Sequence, residues 1–177
     1  MILLVIDIQK GITDSRLYNF EEFVDNTTKI IDTARANGVE VIYVQHDDGP
    51  GTGFSVGDVD FEIADEVAPQ DGEKIYYKTI NTCFGNAELV DYLNQHANKQ
   101  LMIVGLQTNF CIDATVKSAF ERGYEVIIPE GTNSTFDNDY MDAKTTYEYY
   151  NHMMWPERFA KCVSMDEAIA ILGQKDK

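Results

Sequence analysis

The sequence predicts an α/β fold, a single-domain doubly wound open sheet that is mostly parallel, with about six strands and helices on both faces. Three observations predict it. Apolar runs of strand length alternate with amphipathic stretches of helix length along the chain. The apolar runs are rich in Val, Ile and Leu without polar alternation, as in strands buried on both faces. The length of 177 residues suits one domain, which we expect to cover residues 1–177.

The first half of the chain contains three predicted strands and two predicted helices. The strands cover residues 2–6, 39–44 and 74–77, and the helices cover residues 20–37 and 87–93. Gly38 is a typical stop signal after the first helix. Residues 45–72 hold several glycines and scattered acidic residues. A long irregular segment of this kind is usually either functional or disordered.

The second half continues the alternation of strands and helices. The predicted strands cover residues 100–104, 124–128 and 160–163, and the predicted helices cover residues 110–123, 139–154 and 164–172. We expect Gly105 to end the fourth strand and Thr108 to be the N-cap of the helix that follows. Ser164 and Glu167 have the spacing of a capping box for the last helix.

Composition and charge exclude several classes of function. The net charge of −16 argues against nucleic acid and against an anionic membrane surface, because both require clustered Lys and Arg. The apolar start of the chain has no basic segment before it and is interrupted at Asp7, which indicates a strand and no signal peptide. Three cysteines without Cys-x-x-Cys spacing indicate a reduced, cytoplasmic protein.

Reactive side chains follow three of the predicted strands. Asp7 follows the first strand, Lys78 the third and Cys111 the fourth. In open α/β sheets, functional groups collect beyond the carboxyl ends of the strands. We therefore expect these three side chains to share one site.

The three residue types suit acyl hydrolysis. Cys111 falls in the first turn of a predicted helix, where free backbone N–H groups and the helix dipole favour a thiolate nucleophile. Asp7 can accept the thiol proton and return it to a leaving amine. Lys78 can hold Asp7 ionised before attack or stabilise the thiolate afterwards. Each residue alone also has an ordinary structural explanation, so the hypothesis depends on their joint placement.

These residues carry a family resemblance that covers the chain from the first strand nearly to its C-terminus. The sequence resembles the isochorismatase-like cysteine hydrolases, an α/β family. The matching segments are Ile6-Asp7-Ile8-Gln9, Lys78 with Phe84, residues 105–115, Ala119 and Gly123-Tyr124.

The resemblance implies a set of site residues. Asp7, Lys78 and Cys111 correspond to the Asp-Lys-Cys triad of the family. A non-proline cis peptide is implied at Leu106–Gln107, and the backbone amides of Gln107 and Cys111 are the implied oxyanion donors. A substrate pocket is expected to include Gln9, His46, Phe84 and Phe110.

The sequence lacks the metal ligands of nicotinamidases, relatives that carry an Asp-x-His…His cluster between the second and third strands. This chain has only His46 there, so we expect no metal site and no other cofactor. A small-molecule substrate is the expected partner. The tyrosine- and methionine-rich segment 147–155 suggests a subunit interface, and the family resemblance also implies a homo-oligomer.

The leading hypothesis is a metal-independent cysteine hydrolase that cleaves a small amide or a related C–N bond through a thioester. One alternative is a vinyl-ether hydrolase of the isochorismate type, although such relatives can lack the cysteine. Another is a non-catalytic binding or scaffold protein with a redox-sensitive Cys111. A phosphotransfer domain with Asp7 as acceptor would require a second Asp where Gln9 stands.

Overall fold

The computed structural model describes residues 1–174 and contains seven strands and five α-helices. The strands are β1 (Ile2–Ile6), β2 (Glu40–His46), β3 (Lys74–Lys78), β4 (Gln100–Leu106), β5 (Glu125–Pro129), β6 (Asn133–Ser134) and β7 (Lys161–Val163). The helices are α1 (Phe20–Ala36), α2 (Ala87–Asn94), α3 (Asp113–Glu121), α4 (Ala143–Tyr149) and α5 (Met165–Leu172).

The strands form one parallel sheet in the order β3-β2-β1-β4-β5-β7, with β6 paired to β4. The predicted doubly wound α/β fold is therefore confirmed. Strand β6 was not predicted, because a polar strand of two residues shows no hydrophobic pattern.

Each face of the sheet has its own apolar core. Side chains of β1 alternate between the two cores, with Leu4 on one face and Leu3 on the other. The Leu4 core includes residues of α2 and α3, and the Leu3 core includes residues of α1 and α5. Helices therefore cover both faces, as the continuous apolar strands require. Within residues 1–174, none of the helices is long and apolar enough to cross a bilayer.

The predicted helix over residues 139–154 is shorter and less regular than expected. It begins at Ala143, because the Asp142 side chain accepts a hydrogen bond from Thr145 N and caps it. Residues 150–154 continue as a π-helical turn. Within this aromatic segment Trp155 and Tyr147 are buried in the chain itself, whereas Tyr149 and Met153 remain exposed. The expected subunit interface therefore stays a prediction for the exposed part of the segment.

The irregular segment 45–72 is packed against the start of the chain. Lys10 N donates to Glu62 O at 2.9 Å, and Ala64 N donates to Ile8 O at 2.9 Å. Phe61 is buried in the same segment. This segment therefore lies beside the loop that follows Asp7, close to the carboxyl ends of β1 and β2.

Gly105 is part of β4 and does not end it, which corrects the sequence prediction. It pairs with Ile6 of β1 and has a φ of +132°. A Cβ atom built there would lie 2.0 Å from the carbonyl oxygen of Ile6. Only glycine allows the two backbones to approach this closely. The contact fixes β4 against β1 just before the segment that carries Cys111.

We expect Gly105→Ala to lower the free energy of unfolding by at least about 3 kcal/mol. The added Cβ would push β4 away from β1, and alanine also disfavours a positive φ. The matched control is Gly123→Ala, which has a φ of +80° but no atom within 4 Å of the added Cβ. This control should lose only about 1 kcal/mol. Urea unfolding of both variants measures the difference, and equal losses would contradict the close-approach explanation.

Candidate active site

Three titratable side chains meet at the carboxyl edge of the sheet. Asp7 directly follows β1, Lys78 is the last residue of β3, and Cys111 lies in the turn after β4. The Asp7 backbone has a φ of +52°, and its N–H donates to Val44 O at 2.8 Å. Asp7 and Lys78 are separated by 71 positions in the sequence, yet their side chains are in contact.

The Lys78 ammonium group is the centre of this cluster. Its Nζ lies 2.7 Å from Asp7 Oδ2, 3.2 Å from Cys111 Sγ and 3.0 Å from His46 Nδ1. A lysine ammonium has three N–H donors, so each donor has one acceptor. The Lys78 side chain is 0% exposed. Burial acts to lower the pKa of Lys78, but the Asp7 carboxylate and the nearby thiols raise it above its ordinary value. Lys78 is therefore a cation.

The Asp7 carboxyl group is buried beside this cation. Burial raises the pKa of Asp7, although Lys78 and Cys111 act in the opposite direction. Its second oxygen, Oδ1, is buried and has no hydrogen-bond partner among residues 1–174. A carboxylate with one oxygen held by Lys78 and the other unoccupied is able to accept a proton.

Cys111 lies in a π-helical turn, Thr108–Ile112, that precedes α3. Ile112 N donates to Gln107 O at 3.2 Å, which defines this wider turn. Thr108 is not an N-cap as expected, because its hydroxyl group donates to Asn133 Oδ1 at 2.7 Å. The Leu106–Gln107 peptide bond is cis, at the position that the resemblance implies.

Burial opposes the thiolate that the sequence predicts at a helix start, and Cys111 lies within the π-helical turn before α3. Burial raises the pKa of Cys111 to about 12, and the charge of Asp7 adds to the rise while Lys78 opposes it. Burial and Asp7 therefore favour the thiol form of Cys111, and Lys78 favours the thiolate. The Asp7 and Cys111 side chains hydrogen-bond to each other as well as to Lys78, so the carboxylate is placed to receive the thiol proton during a reaction.

His46 is the fourth member of the cluster. Its Nδ1 faces Lys78, and its Nε2 lies 3.1 Å from Asp48 Oδ1. One atom each from His46, Asp7 and Cys111 lies within 4.8 Å of the others, a set that could hold a metal ion. The Lys78 ammonium makes hydrogen bonds to all three residues, however. Its positive charge opposes a cation at this position.

The expected pocket residues separate into different environments. Gln9 is fully buried: its Nε2 donates to His46 O at 3.0 Å and to Phe61 O at 2.9 Å, and its Oε1 accepts from His46 N at 2.8 Å. Gln9 therefore holds the backbone of His46 and Phe61 in place and does not line a cleft.

The two phenylalanines expected in the pocket also differ from each other. Phe84 is in the core, with its ring 5.7 Å from that of Tyr124. Phe84 belongs to the apolar core that also contains Cys111, and the Arg122 guanidinium lies 4.7 Å from its ring centre. Phe110 is 52% exposed beside Cys111 and remains a candidate for substrate contact.

Several polar residues of the site were missed from the sequence. The Cys111 thiol donates to Asn81 Oδ1 at 3.8 Å. Beneath the turn that carries Cys111, the buried Asn133 contacts Asn151 as well as Thr108. Thr135 Oγ1 lies 2.6 Å from Asn109 Oδ1. These contacts join residues far apart in the chain, and no short motif signals them.

Comparison with known proteins identifies the family. The isochorismatase domain model matches residues 1–165. The chain belongs to the isochorismatase family. This confirms the resemblance inferred from the sequence, and the family is one of hydrolases.

Similar proteins of the isochorismatase family cover most of this chain. YrdC of Bacillus subtilis (strain 168) is 29% identical over 175 residues, which is 94% of this chain and 93% of YrdC. The ureidoacrylate amidohydrolase RutB of Agrobacterium fabrum (strain C58 / ATCC 33970) is 26% identical over 75% of this chain and 71% of its own length. A crystal structure of an isochorismatase family protein is 30% identical, with a TM-score of 0.83 over 92% of this chain and 96% of its own.

The free energy of unfolding tests whether Gln9 holds the backbone of this site in place. Gln9→Leu removes three hydrogen bonds to buried backbone, and we expect a loss of roughly 2–4 kcal/mol in the free energy of unfolding. Gln100→Leu is the control, because Gln100 Nε2 makes an exposed hydrogen bond to Glu125. Urea unfolding should show a change of less than about 0.5 kcal/mol for the control. A similarly small change for Gln9→Leu would contradict the assignment.

Proposed function

We propose that this protein is a cysteine hydrolase that cleaves a small-molecule amide or a related C–N bond through a thioester, with Asp7, Lys78 and Cys111 as its triad. The observation that carries the proposal is the buried Lys78 ammonium, which donates to both Asp7 Oδ2 and Cys111 Sγ. Lys78, the positive charge, therefore directly contacts both the nucleophile Cys111 and the proton acceptor Asp7.

The first half of the reaction forms the thioester. The Cys111 thiol proton passes to the Asp7 carboxylate as sulfur attacks the substrate carbonyl carbon. The carbonyl π electrons move to oxygen, forming a tetrahedral oxyanion. As the oxyanion collapses, the C–N bond breaks and protonated Asp7 gives its proton to the leaving nitrogen. The negative charge thus passes from the Asp7 carboxylate to the oxyanion and returns to Asp7, where Lys78 stabilises it.

The second half hydrolyses the thioester. Asp7, again a carboxylate, takes a proton from water as the water oxygen attacks the acyl carbon. The C–S bond then breaks, and protonated Asp7 returns its proton to the Cys111 sulfur. The net reaction consumes one water and yields an acid and an amine or ammonia. We assign the backbone amides of Gln107 and Cys111 as donors to the oxyanion in both halves.

The relatives support C–N bond cleavage as the reaction class. RutB, the ureidoacrylate amidohydrolase, is named for hydrolysis of such a bond, and Nicotinamidase 3 of Arabidopsis thaliana is 25% identical over 80% of this chain. The raised pKa of Cys111 also fits a mechanism in which Asp7 is the base. We therefore favour an amide or ureide over a vinyl ether.

We also propose a homo-oligomer in a reducing, cytoplasmic setting. Phe110, Tyr149 and Met153 are large apolar side chains that remain exposed at 52%, 36% and 60%. Such surface favours contact with another subunit. The three cysteines are free thiols, which fits a reducing compartment.

The function is tested with a panel of amides, ureides, N-carbamoyl compounds and a vinyl ether, assayed for ammonia and for product. We expect hydrolysis of a C–N compound and an acyl adduct on Cys111 by mass spectrometry. Cys111→Ala should lower the rate at least about 10³-fold. Cys162→Ala, a change outside the site, should leave it unchanged, and EDTA should have no effect. Turnover that survives Cys111→Ala, or no turnover of any compound, would overturn the proposal.

The raised pKa of Asp7 predicts the acid side of the pH profile. Asp7 accepts a proton only as a carboxylate, so kcat/KM should rise with pH through a pKa above the ordinary carboxyl value of 3.8. Asp7→Asn should lower kcat/KM about 10²–10⁴-fold at every pH. The control, Asp91→Asn, changes an exposed carboxyl group on α2 and should keep the wild-type profile. An Asp7→Asn enzyme with the wild-type profile would exclude Asp7 as the base.

A further inference from the structure

We propose that His46 is a positioning residue for Lys78. Its Nδ1 accepts the third N–H of the ammonium group and so directs the other two donors to Asp7 and Cys111. The inference rests on the proposed hydrolase function, because it assigns a new role within the same site. It differs from the substrate contact expected of His46 from the sequence.

The geometry of the ammonium group supports this role. The Nζ–Nδ1 distance is 3.0 Å, within the range of the contacts to Asp7 Oδ2 at 2.7 Å and Cys111 Sγ at 3.2 Å. The Lys78 side chain is 0% exposed, so its N–H groups depend on acceptors supplied by the protein. Without His46 one N–H would be buried and unpaired. The ammonium would then turn or move to satisfy it, at the expense of the other two contacts.

His46 is held in the state that this role requires. Because Nδ1 accepts from a cation, the imidazole proton must lie on Nε2. Nε2 lies 3.1 Å from Asp48 Oδ1, which accepts that proton in a hydrogen bond and so favours this tautomer. The backbone N–H and C=O of His46 are both bonded to the Gln9 side chain. The His46 ring is therefore held by the Gln9 bonds to its backbone and by the Asp48 bond to its Nε2.

The consequence concerns the thiol. The positive charge of Lys78 and its hydrogen bond lower the pKa of Cys111 against the larger effect of burial. This influence depends on an N–H directed at sulfur. Loss of the acceptor on His46 should therefore raise the pKa of Cys111 and reduce the thiolate fraction at a given pH.

Alkylation of the thiols by iodoacetamide, followed by peptide mass spectrometry over a range of pH, tests the inference without a known substrate. We expect His46→Leu to slow Cys111 alkylation about tenfold at fixed pH, equivalent to one pKa unit. His46→Asn should restore the rate to within about threefold of wild type, because the side-chain oxygen of Asn can take the place of Nδ1. His152→Asn, an exposed change outside the site, should match wild type.

The same experiment reports on folding. Cys83 is 0% exposed, so it reacts only if the variant unfolds. If His46→Leu makes Cys83 reactive, Asp48→Ala provides the test instead. This exposed change removes the acceptor that favours the Nε2–H tautomer of His46, without altering the core. A slower Cys111 reaction in Asp48→Ala then supports the inference, and the wild-type rate overturns it.

Two further outcomes contradict the assignment. Alkylation of a folded His46→Leu variant at the wild-type rate would show that Lys78 does not need this acceptor. A rate in His46→Asn as low as in His46→Leu would show that the imidazole itself acts on the thiol, as a base does. Neither result depends on turnover, so failure of this inference is distinct from failure of the hydrolase proposal, which Cys111→Ala tests by activity.

Discussion

A buried lysine cation is the constraint on which this site depends. The Lys78 side chain is 0% exposed and its Asp7 partner is 2% exposed, so neither charge is balanced by water. Burying a charge costs several kcal/mol unless good hydrogen bonds compensate, roughly the stability of a marginal domain. A buried ion pair also does not imply a stabilising role, since replacing such a pair with well-packed apolar residues often leaves the stability of a protein unchanged or higher. The pair is better explained by chemistry, because perturbed titratable groups cluster at functional sites.

The parallel sheet makes this cluster possible. β3, β2, β1 and β4 are consecutive neighbours, and each provides one member of the cluster at or just beyond its carboxyl end. The register sets their heights, with Ile6 opposite both Val44 and Gly105. The close backbone approach at Gly105 and the Gln9 contacts to His46 hold two of these strand ends. The stability of the fold and the geometry of the site are therefore connected by a few buried contacts.

Much of this could be predicted from the sequence, and the reasons for the rest are physical. Apolar runs located every long strand, and the topology of parallel sheets then brought Asp7, Lys78 and Cys111 to one edge. The state of Cys111 could not be predicted, because burial outweighs the helix end and burial depends on the packed fold. The same holds for Thr108, whose hydroxyl finds Asn133 25 positions away in place of a local N–H. The contact between His46 and Lys78 depends on the register of β2 and β3, which periodicity does not reveal.

The most direct test of the central claim is the pKa of the Cys111 thiol, measured from the pH dependence of its alkylation in the wild type and in Lys78→Met. Methionine is an unbranched side chain one heavy atom shorter than lysine, and it carries no charge. If the Lys78 ammonium acts on both Asp7 and Cys111, the thiol pKa should rise by about one unit or more while Cys83 stays protected. An unchanged thiol pKa in a folded Lys78→Met protein would show that this cation does not control the nucleophile.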